Sequence, residues 1–352
     1  MTKPFGLTAD VHLHPWSAFS TVLPSGLNSR YAGQLGELSR LAQSTAAAGG
    51  KYVVIAGDLF HVRGSVSPTI LNALRDELST LSYELGIKWV ILSGNHDLEG
   101  RNSERLGSAV TALEGDNVQV INETTYLPEI QATLIPWIEN IDKLKEEITN
   151  APKCANLILH APVDGVIPGL PSHGLTSEWL AAQGFGRVWS GHYHNHKEME
   201  SGKVISIGAL SHLTWSDVGS RAGFHVVHES GSNWFASHLP SFLDLDEIIG
   251  VTVNHEELPM VVDGNYVRIK VEASKVKDVE DARQELLKMG AAGVLVRALP
   301  KPEAHMVRAS SSVKAGSSLE SSVTDYAKTI TTVDPDLVAK EALDILNTIK
   351  SE

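Results

Sequence analysis

The sequence predicts an α/β layered protein whose strands deliver polar side chains to one edge. Three features point there. Apolar β-like runs alternate with helical periods over the first 240 residues. Five of those runs end in short clusters of Asp, His or Asn: FGLTA in Asp10-Val11-His12, YVVIA in Gly57-Asp58-Leu59-Phe60-His61, WVILS in Gly94-Asn95-His96-Asp97, NLIL in His160, and RVWS in Gly191-His192-Tyr193-His194. The later part of the stretch has more strands than helices, which favours a mixed sheet or a two-sheet sandwich.

The elements follow in order. Residues 15–30, PWSAFSTVLPSGLNSR, read as an irregular loop beyond the first cluster, either overhanging the site or serving as a surface connection. A helix is expected over Tyr31 to Ala48, closed by Gly49-Gly50. Ser67-Pro68 supplies the N-cap and first helical residue of another. Leu71, Leu74, Leu78, Leu81 and Leu85 give it one apolar face, and Gly86 ends it. Ser103 to Leu113 suggests a third helix. Strands are expected at Gln131 to Pro136, Ala155 to Leu159, Val188 to Ser190, Val204 to Ile207 and Phe224 to His228.

Beyond about Pro240 the pattern changes to strand (NYVRIKVEA), helix (Val276 to Met289) and strand (AGVLVRAL). The expected organisation is a main domain over 1–240, a small α+β domain over 241–305, a Ser-rich flexible linker over 306–333, and a C-terminal helix over 334–352. Asp334-Pro335 caps that helix, and Leu337, Val338, Ala342, Ile345, Leu346 and Ile349 form its apolar stripe.

Composition narrows the function. The chain of 352 residues exceeds the usual size of one core. No apolar run reaches membrane-spanning length, the N-terminus lacks a secretory pattern, and Cys154 is the only cysteine, so a cytoplasmic setting is expected. The net charge of -13 argues against tight nucleic-acid binding by this chain alone, although bound cations would reverse the local field. Gly50-Lys51 lacks the glycine and hydroxyl residues of a P-loop, so ATP hydrolysis is not expected.

The clusters carry the chemistry. Asp10 and His12, two apart, would share one side of a strand, as would His192 and His194 unless a tight turn separates them. Asp58, at a strand end, suits a carboxylate bridging two ions, while Asn95 offers a neutral oxygen and His160 another imidazole. These seven candidate ligands suit two divalent metals with positions open for water and phosphate. His96 is then free to serve as a general acid, with Asp97 orienting it. His212, after the strand KVISIG, is a candidate for the pocket wall, whereas His14, His173, His196, His225, His228, His238, His255 and His305 read as core or solvated residues.

Taken together, Asp-x-His, Gly-Asp, Gly-Asn-His-Asp, a strand-end His and Gly-His-x-His over residues 5–212 resemble the calcineurin-like metallophosphoesterases. The string GDLFH is similar to the SbcD-type nuclease subunit of double-strand-break repair nuclease–ATPase complexes, including phage versions. The resemblance implies a four-layer α/β/β/α sandwich followed by a small DNA-capping domain. It assigns one metal to Asp10, His12, Asp58 and His194, and the other to Asp58, Asn95, His160 and His192. His96 becomes the general acid or transition-state stabiliser, and His61 a residue that positions the DNA phosphate. It further implies manganese, with magnesium as the alternative, and DNA as substrate in repair or recombination. An SbcC-type ATPase partner docked through the C-terminal helix and a homodimer, for which the helix from Tyr31 to Ala48 is a candidate surface, complete what it implies. A small-molecule phosphodiesterase or phosphatase is the competing expectation.

Overall fold

Local chemistry sets the ends of the helices in the computed structural model, which describes residues 3–100, 103, 105–273, 276–300, 319–327 and 334–350. After strand β1 (Phe5–Thr8), helix α1 (Ser29–Ala47) starts where the Asn28 side chain accepts from the Arg30 and Tyr31 amides. Strand β2 (Tyr52–Ile55) leads to α2 (Pro68–Leu85), capped by Ser67 and closed by Gly86 at φ +67°. Then come β3 (Lys88–Leu92), β4 (Val118–Ile121), β5 (Thr125–Leu127), β6 (Ala132–Ile135), α3 (Ile141–Asn150), β7 (Asn156–His160) and α4 (Ser177–Ala181). Five further strands complete the core: β8 (Arg187–Gly191), β9 (Lys197–Met199), β10 (Val204–Ser206), β11 (Gly223–His228) and β12 (Gly231–Ala236).

These strands form two six-stranded sheets, ordered β12-β11-β1-β2-β3-β4 and β5-β6-β7-β8-β10-β9. In the first, β1 to β4 are parallel and β11 and β12 antiparallel. In the second, β6, β7, β8 and β10 are parallel, with β5 and β9 antiparallel at the edges.

The apolar side chains sort into three interfaces. Leu7, Val54 and Val90 of the first sheet pack on Leu134, Ile158 and Trp189 of the second. Leu38, Leu41, Leu74 and Leu78 cover the first sheet's outer face, and Leu144, Ile148 and Leu180 that of the second. The result is the expected α/β/β/α layering, each fully buried Leu or Ile contributing about 1.5–3 kcal/mol. The same burial takes in Leu35, Leu38 and Leu41 of α1.

A third sheet, β13 (Phe242–Asp244), β14 (Tyr266–Ala273) and β15 (Gly293–Pro300), carries the short helices α5 (Leu245–Ile248) and α6 (Leu258–Val262) and the longer α7 (Val276–Lys288). Its core joins Leu245, Val262, Val267, Leu286 and Val294. By internal contacts Met1–Val271 and Lys277–Arg297 form one unit, so most of this sheet is grouped with the sandwich. The other unit, Glu272–Val276 and Ala298–Glu352, contains α8 (Leu319–Ala327) and α9 (Pro335–Lys350), which contact one another. No helix among the described residues is long and apolar enough to cross a membrane.

Two expectations change. Ser103 to Leu113 is not a continuous α-helix: two 3-10 turns, Arg105–Gly107 and Ala109–Leu113, are broken at Gly107-Ser108, where the Ser108 hydroxyl lies 2.7 Å from that of Ser93. Within the expected linker 306–333, residues Leu319–Ala327 are helical; 306–318 and 328–333 lie outside the described residues.

Candidate metal centre

The polar clusters occupy the C-terminal ends of β1, β2, β3, β7 and β8, all members of parallel pairs. Asp10 and His12 do not lie in a strand. They follow β1 with φ of +50° and +47°, and Asp58 (+53°) and His192 (+101°) are also left-handed. Asp and His tolerate this region better than most residues. The reversal turns each side chain inward, where alternation along a strand would not.

The motif glycines have steric reasons. Gly57 has φ +89°, and a Cβ there would collide with the His160 ring. A Cβ on Gly94 would collide with the Asp58 amide and carboxylate. Glycine lets the β2 and β3 loops approach the ligand residues closely.

Two groups of ligand atoms result, each within 4.8 Å: Asp10, His12 and His194, and Asp58, His160 and His192. Oδ2 of Asp58 lies 3.5 Å from both His12 Nε2 and His160 Nε2, so it faces both groups. Asn95 Oδ1 is 3.1 Å from His160 Nε2 and 3.0 Å from His192 Nδ1. His194 Nε2 is 3.2 Å from His12 Nε2. The seven candidate ligands thus converge, with His192 and His194 in different groups. Two carboxylates, an amide oxygen and four imidazoles in two half-shells sharing Asp58 fit a pair of divalent ions.

Hydrogen bonds hold two of the rings in the ligating tautomer. His160 Nδ1 donates to the Ala56 carbonyl (2.8 Å), leaving Nε2 for a metal. His194 Nδ1 donates to Asp217 Oδ1 (2.8 Å), leaving Nε2 likewise. Asp10, fully buried, accepts from the His192 amide at 2.9 and 3.1 Å, tying the β1 loop to the β8 loop.

Electrostatics follow burial and crowding. Burial drives the Asp10 carboxyl up to about 6 against the pull of His160 and His194. Burial pushes His12 and His192 down to about 3, keeping both neutral, the form that binds metal. Burial also opposes ionisation of Asp58, but His160, His12 and His96 outweigh it and hold the carboxyl below its ordinary range.

The expected His96–Asp97 pair is not formed. The buried Asp97 carboxylate accepts from the amides of Phe60 (2.9 Å), Gly94 (2.9 Å) and Leu59 (3.3 Å), so it braces the β2 and β3 loops against each other. His96 Nδ1 instead donates to the His61 carbonyl at 2.7 Å. That neutral acceptor fixes the ring and leaves Nε2 as the atom that could carry a transferable proton. The His61 ring lies beside His12 (Nδ1 to Nδ1, 3.4 Å) and stacks near His96 with centroids 5.8 Å apart. Burial, then His14 and His96, push His61 down to about 4.

Three neighbours escaped the sequence reading. Asp217 sits in the turn Trp215–Asp217, whose Thr214-x-x-Asp217 capping box was legible but whose link to His194 was not. Trp137 stacks on His192 with centroids 5.1 Å apart, and Trp16 packs 4.5 Å from the His61 ring. The loop over 15–30 therefore does reach the site. His212 is set back from it, its Nδ1 accepting from the Phe242 amide (3.3 Å) and its Nε2 3.1 Å from the Ser220 carbonyl.

A binuclear donor set at the rim of an α/β/β/α sandwich defines the metallophosphoesterases, phosphoester hydrolases that work with dimetal centres. Residues 3–196 match the family model of the calcineurin-like phosphoesterases, and the chain belongs to that family. Two solved structures are similar to it. A Pseudomonas putida nuclease MPE is 21% identical, with a TM-score of 0.26, over 56% of this chain and 65% of that one, so this chain spans under two thirds of its length. A dimetal phosphatase from Danio rerio is 13% identical, with a TM-score of 0.39, over 66% of this chain and 98% of the other. No curated protein sequence matches the chain.

Proposed function

We propose that the protein is a two-metal DNA nuclease acting with a partner ATPase in repair or recombination. One ion is assigned to Asp10, His12, Asp58 and His194, the other to Asp58, Asn95, His160 and His192, with manganese preferred. Such ions supply an activated water and neutralise phosphate charge. The chain's own part is positional. Asp58 holds the two half-shells together, and His96, protonated, presents Nε2–H to the leaving oxygen while its Nδ1 stays on the His61 carbonyl.

The observation that carries the DNA reading is the placement of His61. Its ring belongs to a third compact group with His12 and His96 and is backed by Trp16, where it can meet a phosphate next to the scissile one. In the partner assignment, α9 forms the docking element and residues 241–305 the DNA cap. The experiment is cleavage of an end-labelled hairpin and a blunt duplex with manganese, with and without chelator, beside a chromogenic phosphodiester. His61→Ala leaves the backbone carbonyl that holds His96, so DNA cleavage should fall further than diester hydrolysis. Equal losses on both substrates would move His61 into the metal chemistry and remove the main support for DNA.

A second reading, a small-molecule phosphodiesterase, has its own support. A groove of about 1060 Å³ running from Trp137 carries Glu114, Glu123, Glu139 and Glu147 against Arg105 and Lys143, an unfavourable track for a DNA backbone. Brisk diester hydrolysis with intact DNA would favour it.

A further inference from the structure

We infer that Arg30 is a positioning residue for phosphoester cleavage: it clamps Trp16 against the His61 ring and so sets the direction in which that imidazole points into the site. The inference deepens the nuclease reading, naming what holds the ring in place, and rests on that reading for the role of His61.

Hydrogen bonding leaves the His61 ring loosely fixed. Among the described residues its one polar contact is the approach to His12 Nδ1, which at 3.4 Å is long for a hydrogen bond. Packing therefore sets its pose. The ring centroids of His12, His14 and His96 lie 5.4, 5.0 and 5.8 Å away, and that of Trp16 only 4.5 Å. The indole is itself held by packing. Its Nε1 finds no acceptor among the described residues, while the Trp16 backbone carbonyl takes the Asn28 side-chain amide at 3.0 Å. What bears on the ring is Arg30, whose guanidinium carbon sits 5.3 Å from the indole centroid.

Arg30 suits that task. Its guanidinium donates to two neutral carbonyls, those of Leu213 (2.7 Å) and Ala18 (3.3 Å). Such acceptors fix the plane of the group and leave its charge to the aromatic faces around it. Phe242 and Tyr266 of the third sheet, both buried, also lie 5.4 Å from it. A cation shielded from water gains more from aromatic faces than an exposed one. A planar group tied by two bonds cannot slide along the rings without breaking them. The contacts thus run from Tyr266 through Arg30 and Trp16 to His61. Loss of the cation would let the indole turn, and His61 after it. A shift of about 1 Å at a group that orients substrate can cost 10²-fold in rate.

The test is a double-mutant cycle in the full chain, read on the labelled duplex with the chromogenic diester beside it. Arg30→Met keeps the aliphatic stem but removes the cation. It should lower kcat/KM on DNA about 10-fold, and further than on the diester. With His61→Ala already present, the same change should cost DNA cleavage less than about twofold more. Tyr266→Leu takes one ring from the guanidinium and stands in should Arg30→Met misfold; it should act in the same direction, by less. A second readout needs no catalysis. The His61 ring signals in nuclear magnetic resonance spectra of the metal-free protein, assigned by their loss in His61→Ala, should move in both variants as the indole shifts. Additive losses on DNA or unmoved His61 signals would overturn the clamp. So would weaker manganese binding by the group containing His194, since Arg30 would then act through Leu213, whose amide donates to Asp217 at 2.8 Å. The two readings fail separately. Moved signals without DNA cleavage leave the clamp standing and sink the nuclease; unmoved signals with a DNA-selective loss in His61→Ala do the reverse.

Discussion

Replacing Asp217 with Asn should weaken metal binding in one half of the centre and spare the other. Asp217 is 3% exposed, and Oδ2 accepts from the amides of Leu213 (2.8 Å) and Thr214 (2.9 Å) while Oδ1 accepts from His194 Nδ1 (2.8 Å). Every partner is a donor. An asparagine has one acceptor oxygen and one donor group, so either its NH₂ faces His194 or it faces the two amides. The amide pair should win the oxygen, being two donors against one. His194 then relieves the conflict by moving its proton to Nε2, the nitrogen that faces His12. Loss of such a partner weakens metal binding about 10–100-fold, or about 1.4–2.7 kcal/mol. In manganese titrations of chelator-stripped protein, one binding phase should weaken by that factor. The phase assigned to Asp58, Asn95, His160 and His192 should stay. Glutamine in place of Asp217 tests the same chemistry with a longer side chain. Equal weakening of both phases, or none, would refute the tautomer argument.

Three other outcomes are expected. His96→Ala should retain both manganese phases yet lower turnover about 10²–10⁴-fold on a chromogenic diester, and near-full activity would remove His96 from the chemistry. Gly57→Ala, at φ +89° and against the His160 ring, should weaken the phase containing His160 or prevent folding; unchanged metal binding and melting would contradict the close-approach account. His225, 1% exposed, is pushed down to about 3 by burial, so between about pH 6.5 and 3 the unfolded chain binds a proton that the native one refuses. Stability of the metal-free protein should therefore fall with pH, by about 2 kcal/mol from this residue at pH 5, and His225→Phe should flatten urea-denaturation midpoints over pH 7.5–5. An unaltered slope would count against it.

Much of this architecture was readable in the chain because strand ends in a parallel sheet share an edge. Ser67, Pro68 and Gly86 bound α2 as local rules require, and the strands ending at Asp10, Asp58, Asn95, His160 and His192 are present. What escaped depends on tertiary contact. The i, i+2 argument brought Asp10 and His12 to the same place for the wrong reason, since left-handed backbone rather than strand alternation aims them. Asp97 neighbours His96 in sequence, yet the amides of Leu59, Phe60 and Gly94 claim its carboxylate. Asp217 and Trp137 carry no local signature linking them to His194 and His192. Helix α3, with its Asn140 cap and only Leu144 and Ile148 buried, showed too narrow an apolar stripe to be read alone.

The left-handed residues at Asp10, His12, Asp58 and His192 also say where the affinity for metal resides. A short synthetic peptide copying Thr8 to His14 would hold the same side chains but relax to the extended or right-handed forms that L-residues prefer, splaying the would-be chelators apart. Grafting these strings onto another scaffold would therefore transfer letters without the capacity to capture an ion. It is the rigid sandwich beneath them that enforces the unfavourable torsions, so anything that loosens its sheets should release metal before the molecule unfolds.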